Sequence, residues 1–179
     1  HTSSQTVTGV QTCALPIYDA GVGVKNGINA FGKKNFLGTF AVPSAVINDL
    51  RLLATLSDRE WRCGLSEAIK VALLKEPSLF EQIEASADQL AERNASVADP
   101  IWEASARLHV AHIATGGDPF EETTARPLDF GHWSAHRLES LSEYELRHGE
   151  AVAIGLALDV TYAELRGMLP SDAAARIRH

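Results

Sequence analysis

From Ser57 onward the apolar residues keep a helical period. Trp61, Leu65, Ala68, Ile69 and Ala72 recur at spacings of three and four, behind Ser57 and Glu60 at the spacing of a capping box. The pattern predicts a helix over 58–75, with Gly64 as the weak point of its first turns. Pro77 breaks it, and Ser78 with Glu81 predicts a second capping box ahead of LFEQIEASADQLAERN. Asp99 and Pro100 read as the N-cap and first position of a third helix, stopped by Gly116 and Gly117. Two more helices fit 129–141 and 150–166, the latter closed by Gly167. Before Ser57 the pattern is sparser. Residues 19–38 are dense in Gly, Asn and Lys and read as a loop, because glycine weakens both helix and strand. Ala45, Val46 and Ile47 after Pro43 read as a single strand, and Asp49 caps a short helical turn through LRLLATL.

Composition narrows the class. The chain has 179 residues, 45% of them hydrophobic, enough to bury the core of one ordinary domain. Its net charge of −7 and the lack of a long basic run argue against a nucleic-acid partner. No apolar run approaches the ~20 residues of a membrane helix, so no membrane span is expected. Cys63 is the one thiol of the main body and suits a reducing, cytoplasmic setting. Residues 1–18 stand apart, since all 16 basic and 23 acidic side chains follow Tyr18. Written back into codons, VTGVQTCALPI is similar to a short-read sequencing adapter translated in one frame. Residues 1–18 are therefore set aside from fold reasoning as a non-native segment.

Three places can carry chemistry. LDFGHWSAHRLESLSEYELRHGEAVAIG holds His132, His136 and His148. The first two share a helical face and the third begins the next helix, so the three could meet at a metal or could each be structural. Glu67 and Lys70, at i and i+3 among apolar neighbours, fit either an ordinary ion pair or a pair with a further partner such as a metal. The loop KNGINAFGKKN sets Lys25, Lys33, Lys34 and Asn35 among glycines, where they could cradle a phosphate or carboxylate or simply be solvated. Arg126 and Asp129 could extend the same polar site.

DAGVGVKNGINAFGKKN, GLSEAIKVALLK, LDFGH with AH four residues on, and RHGEAVAIG resemble, in order and spacing, the successive motifs of the 3-dehydroquinate synthase family of sugar phosphate cyclases. The resemblance covers roughly residues 19–167. It implies a mainly α chain: the helical metal-binding domain of an α/β plus α protein, over 57–179, with the end of the NAD-binding α/β domain and a substrate loop over 19–56. It implies Glu67, His132 and His148 as ligands of a divalent metal, usually zinc. It implies Lys70 and His136 as catalytic groups, with Lys25, Lys34, Asn35, Arg126 and Asp129 binding substrate and Asp19 lying near the nicotinamide of NAD. The family reaction oxidises a substrate alcohol, eliminates phosphate, reduces the ketone again, and closes a ring by an aldol step. The implied partner is a small sugar phosphate, and the resemblance leaves room for a homodimer.

The sequence departs from the family pattern in places. Asp129 stands where dehydroquinate synthases usually carry Asn, Arg126 falls one residue nearer the histidine than usual, and LHVAHIATGGD offers His109 and His112 where a substrate-binding Lys is expected. A related cyclase with another sugar phosphate therefore stays open, as do an iron-dependent alcohol dehydrogenase and a non-enzymatic helical module. The glycine-rich nucleotide-binding half would precede Asp19, so the chain reads as an internal fragment, inactive by itself.

Overall fold

The computed structural model describes residues 25–31, 33–40, 47–115 and 127–179. It opens with a hairpin where the composition suggests a loop. Strand β1 (Lys25–Ala30) runs antiparallel to β2 (Lys33–Phe40), pairing Lys25 with Phe40, Gly27 with Gly38 and Ile28 with Leu37. Each glycine weakens its own strand, but cross-strand hydrogen bonding does not depend on a side chain. Phe31 turns the chain at φ 53°, and its ring meets Phe36 edge-on at 5.4 Å. Of the expected strand at 45–47, Ala45 and Val46 lie outside the described residues, and Ile47 is exposed and in no strand. Asp49 does cap a 3-10 turn over Leu50–Thr55 by accepting from the Arg51 amide.

The rest is helical, as the periodicity predicts. Helix α1 (Asp58–Lys75) has the expected bounds and the expected Ser57 and Glu60 capping box. The second box does not form. Pro77 opens α2 (Pro77–Ala85) from its first position, where a missing N–H costs nothing, and Ser78 instead donates to the Glu76 carboxylate at 2.7 Å. The predicted long helix then splits at Ser86 into α2 and the short α3 (Ala87–Ala91). Helix α4 (Ala95–Thr115) starts a turn before Asp99, because the Asn94 side chain accepts from the Ser96 amide at 3.1 Å. Pro100 is therefore inside α4; its missing N–H would have met the carbonyl of Ser96, an exposed residue open to water.

A 3-10 turn, Pro127–Asp129, leads into α5 (His132–Leu141), which begins three residues later than expected. Then come α6 (His148–Leu165), ended by Gly167 at φ 68°, and α7 (Ser171–Arg178), which the sequence reading did not assign. Helix α1 lies between two cores. On one side Trp61, Ala68 and Ala72 pack with Leu79, Ile83, Ile101 and Trp102 from α2 and α4. On the other, Ala135, Ala151, Val152 and Leu156 join α5 to α6, and Ile69 of α1 packs against both groups. The Trp61 indole donates to the Leu90 carbonyl at 2.7 Å and meets Trp102 edge-on, so the larger core also satisfies its polar atom.

Candidate metal centre

The approach of α6 to α1 depends on glycine. A Cβ on Gly149 would fall 2.3 Å from the Cys63 carbonyl oxygen, so only glycine lets the first turn of α6 lie against the backbone of α1. Glu67 is one helical turn beyond Cys63, and His148 immediately precedes Gly149. That contact therefore brings His148 beside Glu67. Gly155 plays the same part against α5, where a Cβ would lie 1.9 Å from the Gly131 carbonyl oxygen. Gly131 caps α5 at φ 75°, a left-handed conformation that suits glycine, and delivers His132 to the same place. Asp159 of α6 holds that turn from both sides, accepting from the Gly131 amide at 2.7 Å and the Trp133 indole at 2.8 Å.

Glu67 is the centre of the resulting cluster. Its Oε1 lies 3.3 Å from His132 Nε2 and 3.5 Å from His148 Nε2, while Oε2 lies 2.7 Å from the Lys70 ammonium. Lys70 is 1% exposed, so this is a buried pair rather than a solvated one. Burial pushes the Glu67 carboxyl up, but the Lys70 ammonium opposes it, and the group is held well below the usual carboxylate range.

The tautomers can be read from the second nitrogen of each ring. His132 Nδ1 sits 3.2 Å from the Phe130 carbonyl oxygen, and His148 Nδ1 sits 2.9 Å from Glu139 Oε2. Both partners accept, so each Nδ1 donates, and each Nε2 of a neutral ring turns a lone pair toward Glu67. Glu67 Oε1 and His132 Nε2 are buried without a hydrogen-bond partner. Acceptors facing one another at this distance call for a cation between them. Donors bound at zinc distances of about 2.0–2.1 Å in a tetrahedron stand about 3.3 Å apart, which these separations match. The ligand atoms of Glu67, His132 and His148 all lie within 4.8 Å of one another, so the residues present fit a divalent ion.

His136 joins the rim. Its ring stacks on His148 with centroids 5.6 Å apart, and its Nδ1 lies 3.4 Å from Glu139 Oε2. With 63% of its side chain exposed, it faces the open side of the cluster. Glu139 and Asp159 were not picked out from sequence. Glu139 follows His132 by seven residues and His136 by three, so helical spacing carries a signal for it. Asp159 acts on residues 26 and 28 positions away, for which no local signal exists.

The family models for 3-dehydroquinate synthase match end to end, the N-terminal one over residues 4–63 and the C-terminal one over residues 64–179. The chain belongs to the 3-dehydroquinate synthase family. Among its curated relatives, the 2-epi-valiolone synthase of Actinosynnema mirum is 38% identical over 167 residues, which is 93% of this chain and 43% of that protein. The 3-dehydroquinate synthase of Solibacter usitatus is 35% identical over 93% of this chain and 46% of its own length. Among solved structures, the 2-epi-5-epi-valiolone synthase of Streptomyces hygroscopicus, with NAD+ and Zn2+ bound, superposes with a TM-score of 0.81 at 34% identity, covering 90% of this chain and 45% of that one. A 2-deoxy-scyllo-inosose synthase shares the fold at a TM-score of 0.73 and 21% identity, over 91% of this chain and 44% of that one. This member of the 3-dehydroquinate synthase family thus spans a little under half the length of these relatives.

Of the other expected site residues of this family member, Lys25 begins β1, and Lys34 and Asn35 belong to β2. Asp129 is exposed in the turn before Gly131. Asp19 and Arg126 lie outside the described residues. Among the described residues no helix is long and apolar enough to cross a membrane.

Proposed function

We propose that this chain is the metal-binding part of a cytoplasmic sugar phosphate cyclase, a carbon–oxygen lyase that uses NAD and a divalent metal, with Glu67, His132 and His148 as the metal ligands. The observation that carries this reading is the meeting of Glu67 Oε1, His132 Nε2 and His148 Nε2, from three separate helices, at zinc-like separations, with the first two buried and without a hydrogen-bond partner. A bound zinc ion would supply Lewis-acid polarisation of a substrate alcohol or carbonyl oxygen. NAD, present in the solved valiolone synthase, would supply a hydride acceptor and donor.

The chain's own residues have distinct tasks in this reading. Lys70 neutralises Oε2 of Glu67 and leaves Oε1 as the ligand atom. His136, exposed beside the centre, takes a proton from a substrate group or returns one. Lys25, Lys34, Asn35 and Arg126 would hold the phosphate and other anionic groups, Asp129 would orient a hydroxyl, and Asp19 would serve the NAD site. Asp129 also bears on the substrate, since an exposed carboxylate repels a substrate carboxylate that Asn would bind. It favours a sugar phosphate without a carboxyl group.

The test is phosphate release from carboxylated and uncarboxylated sugar phosphates, with NAD+ and zinc, by the full-length protein that contains these residues. Release from an uncarboxylated substrate that is lost in Glu67→Gln and His132→Ala is the expected result. Release unaffected by both substitutions would contradict the reading. The 179 residues by themselves are expected to hold the ion and release no phosphate.

A further inference from the structure

Glu139 lies outside the ligand set proposed above, yet it is more enclosed than two of the histidines around it, with 5% of its side chain exposed against 33% for His148 and 63% for His136. A carboxylate is costly to bury unless strong donors meet it. Here one oxygen, Oε2, takes His148 Nδ1 at 2.9 Å and His136 Nδ1 at 3.4 Å. The two rings lie nearly parallel above it, 24° apart. His132 has no such carboxylate, since its Nδ1 rests on the Phe130 carbonyl within its own turn.

We propose that Glu139 is the positioning residue of this centre, fixing His148 in the tautomer and orientation that aim its Nε2 lone pair at the cation position and tying the exposed His136 ring to the same carboxylate. The proposal rests on the metal-centre reading given above. An imidazole half open to water has two tautomers and free rotation about its side-chain bonds. Only a strong acceptor on Nδ1 selects the form that can bind a cation through Nε2, and it raises the basicity of that nitrogen as well. His148 needs this more than His132, because its neighbours enclose it less. Since Oε2 is shared, whatever displaces Glu139 disturbs a metal ligand and the proton-handling group together.

The experiment compares the wild-type chain with Glu139→Gln and Glu139→Leu. Cobalt(II) affinity is read from the visible absorption of the bound ion, and the histidine tautomers from nitrogen-15 NMR of the metal-free protein. Glu139→Leu is expected to weaken cobalt binding about 10- to 100-fold. Glu139→Gln, which keeps an acceptor of the same shape but loses the charge, falls between. In the metal-free spectra the His148 signals move from the Nδ1–H tautomer toward a mixture, while those of His132 stay put. Where Glu139→Leu lowers the thermal midpoint, Glu139→Gln carries the test. Wild-type affinity and an unchanged His148 tautomer in both variants would overturn the role of Glu139 alone. Failure of the wild-type chain to bind cobalt would overturn the metal centre, and the proposal with it.

Discussion

A carboxylate as enclosed as Glu67 stays ionised only with a cation beside it, and Lys70 supplies that cation at 2.7 Å. The pair alone leaves Oε1 facing two imidazole lone pairs. Lys70→Met should therefore be strongly destabilising in the presence of a chelator, by about 3 kcal/mol, because it strands a buried charge. Urea unfolding followed by circular dichroism measures that loss. Zinc should recover part of it in the variant, since the ion takes over the charge of Glu67. A loss that zinc leaves unchanged would argue that no ion reaches the carboxylate.

The helices of this chain were readable where their signals are local. The bounds of α1 follow from Ser57, Glu60 and the apolar stripe, all within the helix itself. The start of α4 was misplaced because Asn94 and Asp99 carry similar capping chemistry. What decided between them is the stripe of Ala98, Ile101, Trp102, Ser105 and His109, buried from its first member, which already needs helix before Asp99. The hairpin was missed because its hydrogen bonds cross between two segments whose apolar pattern is interrupted by Gly27 and Gly38, which pair with each other. At the site, the ligand residues stood out by type, whereas Asp159 could be recognised only once α5 and α6 were packed.

Two predictions belong to the elements. Gly149→Ala pushes a methyl group into the Cys63 backbone and should cost about 3 kcal/mol while unseating His148, so thermal melting and metal affinity fall together. Gly167→Ala, with nothing within 4 Å but φ at 68°, should cost only about 1 kcal/mol and leave the metal alone. Equal losses in the two variants would show that helix approach is not what Gly149 protects. The start of α6 is also tied to α1 by Arg59, which donates to both Glu150 oxygens at 2.6 Å and to the Glu145 carbonyl at 2.8 Å. The Arg59 guanidinium holds the Glu150 carboxyl below its ordinary value of 4.5. A lowered value means the pair stabilises the fold above 4.5 and ceases to do so as pH falls through the depressed value. The stability gap between wild type and Glu150→Gln, from urea unfolding across pH, should be constant near neutrality and close in acid. A gap that widens in acid would contradict this assignment.

At the scale of the whole molecule, the ligands come from α1, α5 and α6, the helices that carry the second core and join it to the first. An ion bound there staples both layers and must stabilise the folded chain by mass action, about 2.7 kcal/mol at a free concentration one hundred times its dissociation constant. The most direct test is a zinc titration of purified chain with bound metal counted by elemental analysis, run beside Glu67→Gln, His132→Ala and His148→Ala. One ion per wild-type chain, lost in each of the three variants, is the predicted result. A wild-type chain that retains no ion, or variants that retain it as well as wild type does, would contradict the convergence of these three residues on a single cation.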